Sequence, residues 1–173
     1  MKEKIREIME DCYPDFSEIY GGVFGMPPYS EVFTEEEMRD EYALLTSSGH
    51  VYGYYEGEKC IGIVTFNNKE CYNHPVCYNP EKKVAYLSDV AVLPEYRNKG
   101  IGTALMKHVV NCARNEGYNI IYMRTLKPGE SMSYGIALKL GFILLEETEV
   151  IERERTDENR NTKDVRIFLE KTL

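Results

Sequence analysis

Residues 84–110, VAYLSDVAVLPEYRNKGIGTALMKHVV, limit the fold more than any other stretch of the chain. From Val84 to Leu93 nearly every position is apolar, as in a strand buried on both faces of a sheet. Pro94 stops that strand. A basic turn with two glycines follows, and Ile101, Ala104/Leu105, His108 and Cys112 then recur at helical spacing on one face. The pattern predicts a helix over 97–115. His108 on that apolar face reads as a satisfied core histidine.

The flanking segments extend this into mixed α/β layers. Residues 2–12 suit a short helix with Ile5 and Ile8/Met9 on one side. Residues 17–49 read as two helical pieces broken by Gly-Gly and Pro-Pro pairs. The second piece carries a capping box, Thr34 with Glu37 three residues on, and ends at Ser48-Gly49. HVYGYY and CIGIVTF flank a short glycine turn and predict a hairpin. Residues 67–83 are polar and turn-rich, a loop. NIIYMRT is a strand, and SMSYGIALKL a helix with Met132, Ile136 and Leu140 inward and Gly141 closing it. FILLEETEVIERER and KDVRIFLEKTL are two long strands joined by TDENRNT. The order implies one domain over 1–173 with a central, mostly antiparallel sheet flanked by helices.

Composition narrows the function. The formal net charge is −8, which disfavours binding to nucleic acid phosphates and favours cationic ligands such as amines. No stretch approaches the roughly 18 to 20 apolar residues of a membrane span. The N-terminus is charged and has no secretory h-region, and the five cysteines include no CxxC pair. These features predict reduced thiols in a cytoplasmic protein. Cys71, His74 and Cys77 are three candidate metal ligands, but three without a fourth in a loop fit no structural zinc pattern, so no metal is expected.

The first N–H groups of a helix have no intrahelical partner and carry partial positive charge. Glycines allow an anion to approach them, and flanking cations complete a phosphate cradle. Arg97, Asn98, Lys99, Gly100, Ile101, Gly102 and Thr103 supply all three elements. The alternative is a glycine-rich loop with solvated charges. GxxxxGK[ST] is absent, and Leu105 stands where GxGxxG requires its third glycine.

The same stretch resembles the signature strand and helix of the GCN5-related N-acetyltransferase (GNAT) superfamily. Val92-Leu93-Pro94 precedes Arg97-Asn98-Lys99-Gly100-Ile101-Gly102, and a second signature, ALKLGF, runs from Ala137 to Phe142. The element order is similar over about residues 15 to 172, and VFGMPPYSEVFTEEEM is similar to the opening of one subgroup. The resemblance implies a sheet splayed at a bulge near Val90 to Val92. It implies that acetyl-CoA is held by the backbone of Val90, Ala91 and Val92, and by Arg97 through Thr103. An amine of a small molecule or peptide would attack the thioester directly.

Two roles stay open under that resemblance. The family's thiol-protonating tyrosine falls on Ala137, so the usual acid is missing. Tyr134, one turn earlier on the same side of the helix, is the substitute it suggests. The positions where members often carry a base hold Tyr86 and Ser88. Asp89 is one residue off and expected on the opposite face. A water chain is one alternative. Another is the acidic run of Glu35, Glu36, Glu37, Asp40 and Glu41, which also reads as a solvated helix face. Other readings of the whole are a non-catalytic acyl-CoA sensor, a transferase of longer acyl chains, and a homodimer formed through the C-terminal strands.

Overall fold

A computed structural model describes residues 4–9, 12–68, 79, 81–154 and 161–173. The strands and α-helices follow in order: β1 (Ile5–Glu7), α1 (Tyr13–Phe24), α2 (Glu35–Ser48), β2 (Gly49–Glu56), β3 (Lys59–Asn68), β4 (Val84–Val92), α3 (Ile101–Asn115), β5 (Ile120–Leu126), α4 (Met132–Lys139), β6 (Ile143–Glu154) and β7 (Asn161–Thr172). The strands form one sheet in the order β1-β2-β3-β4-β5-β7-β6. β4 and β5 run parallel and the other pairs antiparallel. The putting together of a β-hairpin, a strand–helix–strand crossover and a second hairpin accounts for that order. Cys71, His74 and Cys77 lie outside the described residues. Among the described residues no helix is long and apolar enough to cross a membrane.

The helices cover both faces. α1 and α2 bury Phe16, Ile19, Met38, Tyr42 and Leu45 against one face of β2, β3 and β4. α3 buries Ile101, Leu105, Met106, Val109, Val110 and Ala113 against the other. Complete burial of Leu105, Met106 and Val109 stabilises by about 1.5–3 kcal/mol per side chain. The helical period is as expected, but the buried stripe is turned toward Met106 and Val109. His108 sits at its margin, half-buried, with its ring edge-on to Tyr52 at 4.6 Å and Nε2 3.4 Å from Cys112 Sγ. Thr34 caps α2 as its motif predicts: its hydroxyl accepts the Glu37 N–H, and the Glu37 carboxylate accepts the Thr34 N–H at 2.8 Å.

Two expectations change. The segment read as a helix over 2–12 contains a strand, with Ile5 opposite Tyr54 and Glu7 opposite Tyr52. An isolated helix that short is marginal, while the open edge of β2 offers ladder bonds. The Arg6 guanidinium 3.8 Å over the Tyr55 ring and Glu7 on His50 Nδ1 at 2.6 Å add side-chain support. In α4 the inward residue is Ala137, fully buried, whereas Met132 is 60% exposed at the first turn.

The feature that positions the site is a bulge in β4. Thr65 pairs with Asp89 but its neighbour Phe66 pairs with Leu87, so Ser88 is the extra residue. The bulge thus falls before the Val90 to Val92 stretch where it was expected. The β4–β5 ladder also ends at Leu87 and Met123, although β5 continues to Leu126. β4 therefore diverges from β5 beyond Leu87.

Candidate functional site

The turn before α3 is built from two left-handed residues, Asn98 (φ 62°) and Gly100 (φ 79°). Asparagine and glycine are the residues that adopt this conformation at least cost. The chain reverses there, and α3 starts at Ile101 rather than at Arg97. The Ala104 N–H bonds to Gly100 O at 2.9 Å, which leaves the N–H groups of Ile101, Gly102 and Thr103 without intrahelical partners. Arg97 Nε donates to Val92 O at 3.0 Å and fastens the turn to the end of β4.

A groove of about 340 Å³ runs over this helix start. Val90, Val92, Arg97, Asn98, Gly100, Ile101, Gly102 and Thr103, all among the residues that the resemblance assigns to acetyl-CoA, line it. Ala91 and Lys99 do not. Ala91 is 1% exposed and packs toward α1, because alternate side chains of a strand take opposite faces. The Lys99 ammonium lies 4.9 Å over the Tyr96 ring. The far wall comes from α4 and the turn before it, including Ser131, Ser133, Ile136 and Lys139, and Tyr29 also lines the groove. Nothing in the sequence pattern singles these out; Ser131 and Ser133 become visible only as hydroxyls at a helix start.

A second cavity of about 90 Å³ adjoins the groove, and the two share Tyr29, Val90 and Ser133. Its polar walls are Glu31, Ser88, Asp89, Arg124, Thr125 and Arg166. Asp89 was expected to point away from the face of Tyr86. The bulge reverses that expectation. Tyr86, Asp89 and Ala91 pair with Asn67, Thr65 and Ile63, alternate residues of β3 that share one face. Burial, then the nearby Glu41 and Glu31 carboxylates, push the Asp89 carboxyl up to about 7, against the opposing hydrogen bond from Thr65 and charge of Arg124. Ser133 Oγ lies 2.6 Å from Thr125 Oγ1 and 2.7 Å from Ser131 Oγ, forming a chain of hydroxyls beside the junction.

Tyr134 is placed elsewhere. It lines neither the groove nor the second cavity and packs, half-buried, against the main hydrophobic core. It does share a helix side with Ala137, as the i, i+3 relation requires, but that side faces the core. The acidic run also divides. Glu35 pairs with Arg39 at 2.8 Å and Glu37 caps its own helix, both at the surface. Glu41 is held above the ordinary carboxylate range by burial and by Glu31, and acts on Asp89.

The fold is shared by solved structures. The N-acetyltransferase of Staphylococcus aureus Mu50 superposes with a TM-score of 0.70 at 17% identity, covering 97% of this chain and 96% of that one. The ribosomal-protein-S18-alanine N-acetyltransferase of Escherichia coli gives 0.69 at 14% identity, covering 97% and 92%. The PaiA N-acetyltransferase of Thermoplasma acidophilum, solved in complex with coenzyme A, gives 0.66 at 16% identity over 100% of both chains. No curated protein sequence matches at a significant level. The family model described as Acetyltransferase (GNAT) family matches residues 3–142, so by the strand, bulge, turn and helix described above this chain belongs to the GNAT acetyltransferases.

Proposed function

We propose that the protein transfers the acetyl group of acetyl-CoA to a primary amine, with both substrates bound together. One observation carries the reading: the groove over the helix start meets a cavity floored by a carboxylate, at Val90 and Ser133. In the groove, the N–H groups at the start of α3 and the Arg97 guanidinium suit a pyrophosphate. Beyond Leu87, the edge of β4 that turns away from β3 suits the amides of a pantetheine arm.

The chemistry needs a base and help for the leaving group. An ammonium with a pKa of about 10 must lose a proton before it attacks. Asp89, titrating at about 7, takes that proton. The amine nitrogen then forms its bond to the thioester carbon, the C–S bond breaks, and the second proton released from the nitrogen passes to the departing sulfur, so that coenzyme A leaves as the thiol. Holding both reactants at one junction removes most of the entropic barrier. Ser133, whose hydroxyl belongs to the chain with Thr125 and Ser131, is the side chain we assign to hydrogen-bond the departing sulfur. Tyr134 has no part in this reading.

The test is incubation with acetyl-CoA and a panel of amines, following thiol release and product mass together. Release matched by an acetylated amine supports the proposal. Tight acetyl-CoA binding with no transfer to any amine would favour the acyl-CoA sensor instead.

A further inference from the structure

A chain of hydroxyls joins the second cavity to the groove. Thr125 lies in β5 beyond Met123, where the ladder to β4 has ended, and it lines the second cavity. Ser133, in the first turn of α4, lines both spaces, and Ser131 lines the groove. Ser133 Oγ is 2.6 Å from Thr125 Oγ1 and 2.7 Å from Ser131 Oγ. Ser131 caps α4, its hydroxyl accepting the Ser133 N–H at 3.2 Å. That cap fixes the backbone of Ser133, and with it the place of the Ser133 hydroxyl.

The bond count decides which way the protons point. A hydroxyl has one proton to donate and two lone pairs to accept with. Thr125 is 3% exposed, and Ser133 Oγ is the one hydrogen-bond partner of its hydroxyl among the described residues. A buried hydroxyl proton left without an acceptor loses its hydration and gains nothing in return. Thr125 therefore donates and Ser133 accepts. Ser133 keeps its own proton for Ser131 or for a group in the groove. The lone pairs of Thr125 keep room for a donor in the second cavity. The chain thus has one direction, accepting at the cavity end and donating at the groove end.

We propose that Thr125 and Ser133 carry the second proton of the attacking amine to the departing sulfur. The first proton of the ammonium goes to Asp89. When the nitrogen bonds to the carbonyl carbon it still holds one proton too many. That proton passes to Thr125 Oγ1, the Thr125 proton to Ser133 Oγ, and the Ser133 proton to the sulfur as the C–S bond breaks. Each hydroxyl ends as it began, the amide keeps one N–H, and coenzyme A leaves as the thiol. The Thr125–Ser133 bond is at the short end of the ordinary O–H···O range, so the transfers can occur together without a free alkoxide. Ser131 is a positioning residue that acts through Ser133. This rests on the acetyltransferase reading and supplies the proton route between its two spaces.

The experiment follows single-turnover acetyl transfer from acetyl-CoA to a primary amine that the intact protein acetylates, in H2O and in mixtures with D2O. Wild type should show a bowed dependence of rate on deuterium fraction, as several protons moving in one step require. Thr125→Val keeps the side chain's shape and removes the hydroxyl. It should lower the rate by about 10²-fold or more, straighten that dependence and leave coenzyme A affinity unchanged in a calorimetric titration. Thr125→Ser should restore the rate and the bow. Ser133→Ala should lose as much as Thr125→Val, and the double variant no more than either, because both break one route. If Thr125→Val fails to fold, Ser133→Ala at the half-buried start of α4 gives the same comparison. A straight dependence in wild type, a wild-type rate in either variant, or losses that multiply in the double variant would overturn the relay and leave the acetyltransferase reading standing. No transfer by wild type to any amine would overturn both.

Discussion

Thr65 and Asp89 are joined by two hydrogen bonds across the β4 bulge. The Thr65 hydroxyl donates to Asp89 Oδ2 and accepts the Asp89 N–H, each at 3.1 Å. One side chain thus pins both the bulged backbone and the carboxylate it exposes. The bond to the carboxylate favours the ionised form. Thr65→Val should therefore move the lower pH midpoint of kcat/KM upward, and Thr65→Ser should restore it. An unmoved midpoint in Thr65→Val would show that this contact does not act on the proposed base.

Asp89 should also leave a mark on stability. Its carboxyl is raised from 3.8 to about 7 in the folded protein. Between those values the folded state holds a proton that the unfolded chain has released, so this group's contribution falls as pH rises through that window. Asp89→Asn should melt higher than wild type at pH 8, with the difference shrinking at pH 5. A lower Tm for the variant at pH 8 would contradict this.

Tyr134 and Ala137 make a paired prediction. Tyr134→Phe should leave kcat unchanged, because the ring lines neither cavity. Ala137→Tyr should give no gain in rate. Ala137 is fully buried against α3, and the larger side chain should cost about 1–3 kcal/mol by overpacking. Steady-state kinetics and thermal melts check both; a loss of about 10²-fold in kcat for Tyr134→Phe would return that residue to the mechanism.

The two glycines of the turn should fail differently. At Gly102 an added Cβ would sit 3.3 Å from Ile136 Cδ1, where α3 meets α4 along the groove. Gly102→Val should widen or block the groove and lower acetyl-CoA affinity. At Gly100 a Cβ has open space but φ is +79°, so Gly100→Ala should cost about 1 kcal/mol of stability and affect affinity less. Calorimetric titration separates them. With wild type, coenzyme A at about 100 times its Kd should stabilise the fold by about 2.7 kcal/mol.

Much of this architecture is legible in the sequence because its signals are local. The apolar run to Leu93, Pro94 and the glycine turn specify β4 and α3, and the Thr34–Glu37 box specifies the start of α2. The β1 strand is not legible, since Ile5–Glu7 takes its conformation from the edge of β2 rather than from its own pattern. The groove follows the turn, so most of its lining could be named. Asp89 could not, because strict alternation gives it the wrong face and only the Ser88 bulge corrects that. Arg124 and Arg166 reach one cavity through strand order, β4-β5-β7, which no periodicity encodes.

The most direct measurement is the pH dependence of kcat/KM for wild type and Asp89→Asn with a transferable amine. If Asp89 takes the proton, the wild-type value should rise about tenfold per pH unit below about 7, the value to which its carboxyl is raised, and then level off. Asp89→Asn should lose that break and fall by about 10²-fold or more at pH 8. The same break in both proteins, with equal rates at pH 8, would contradict the account of this site.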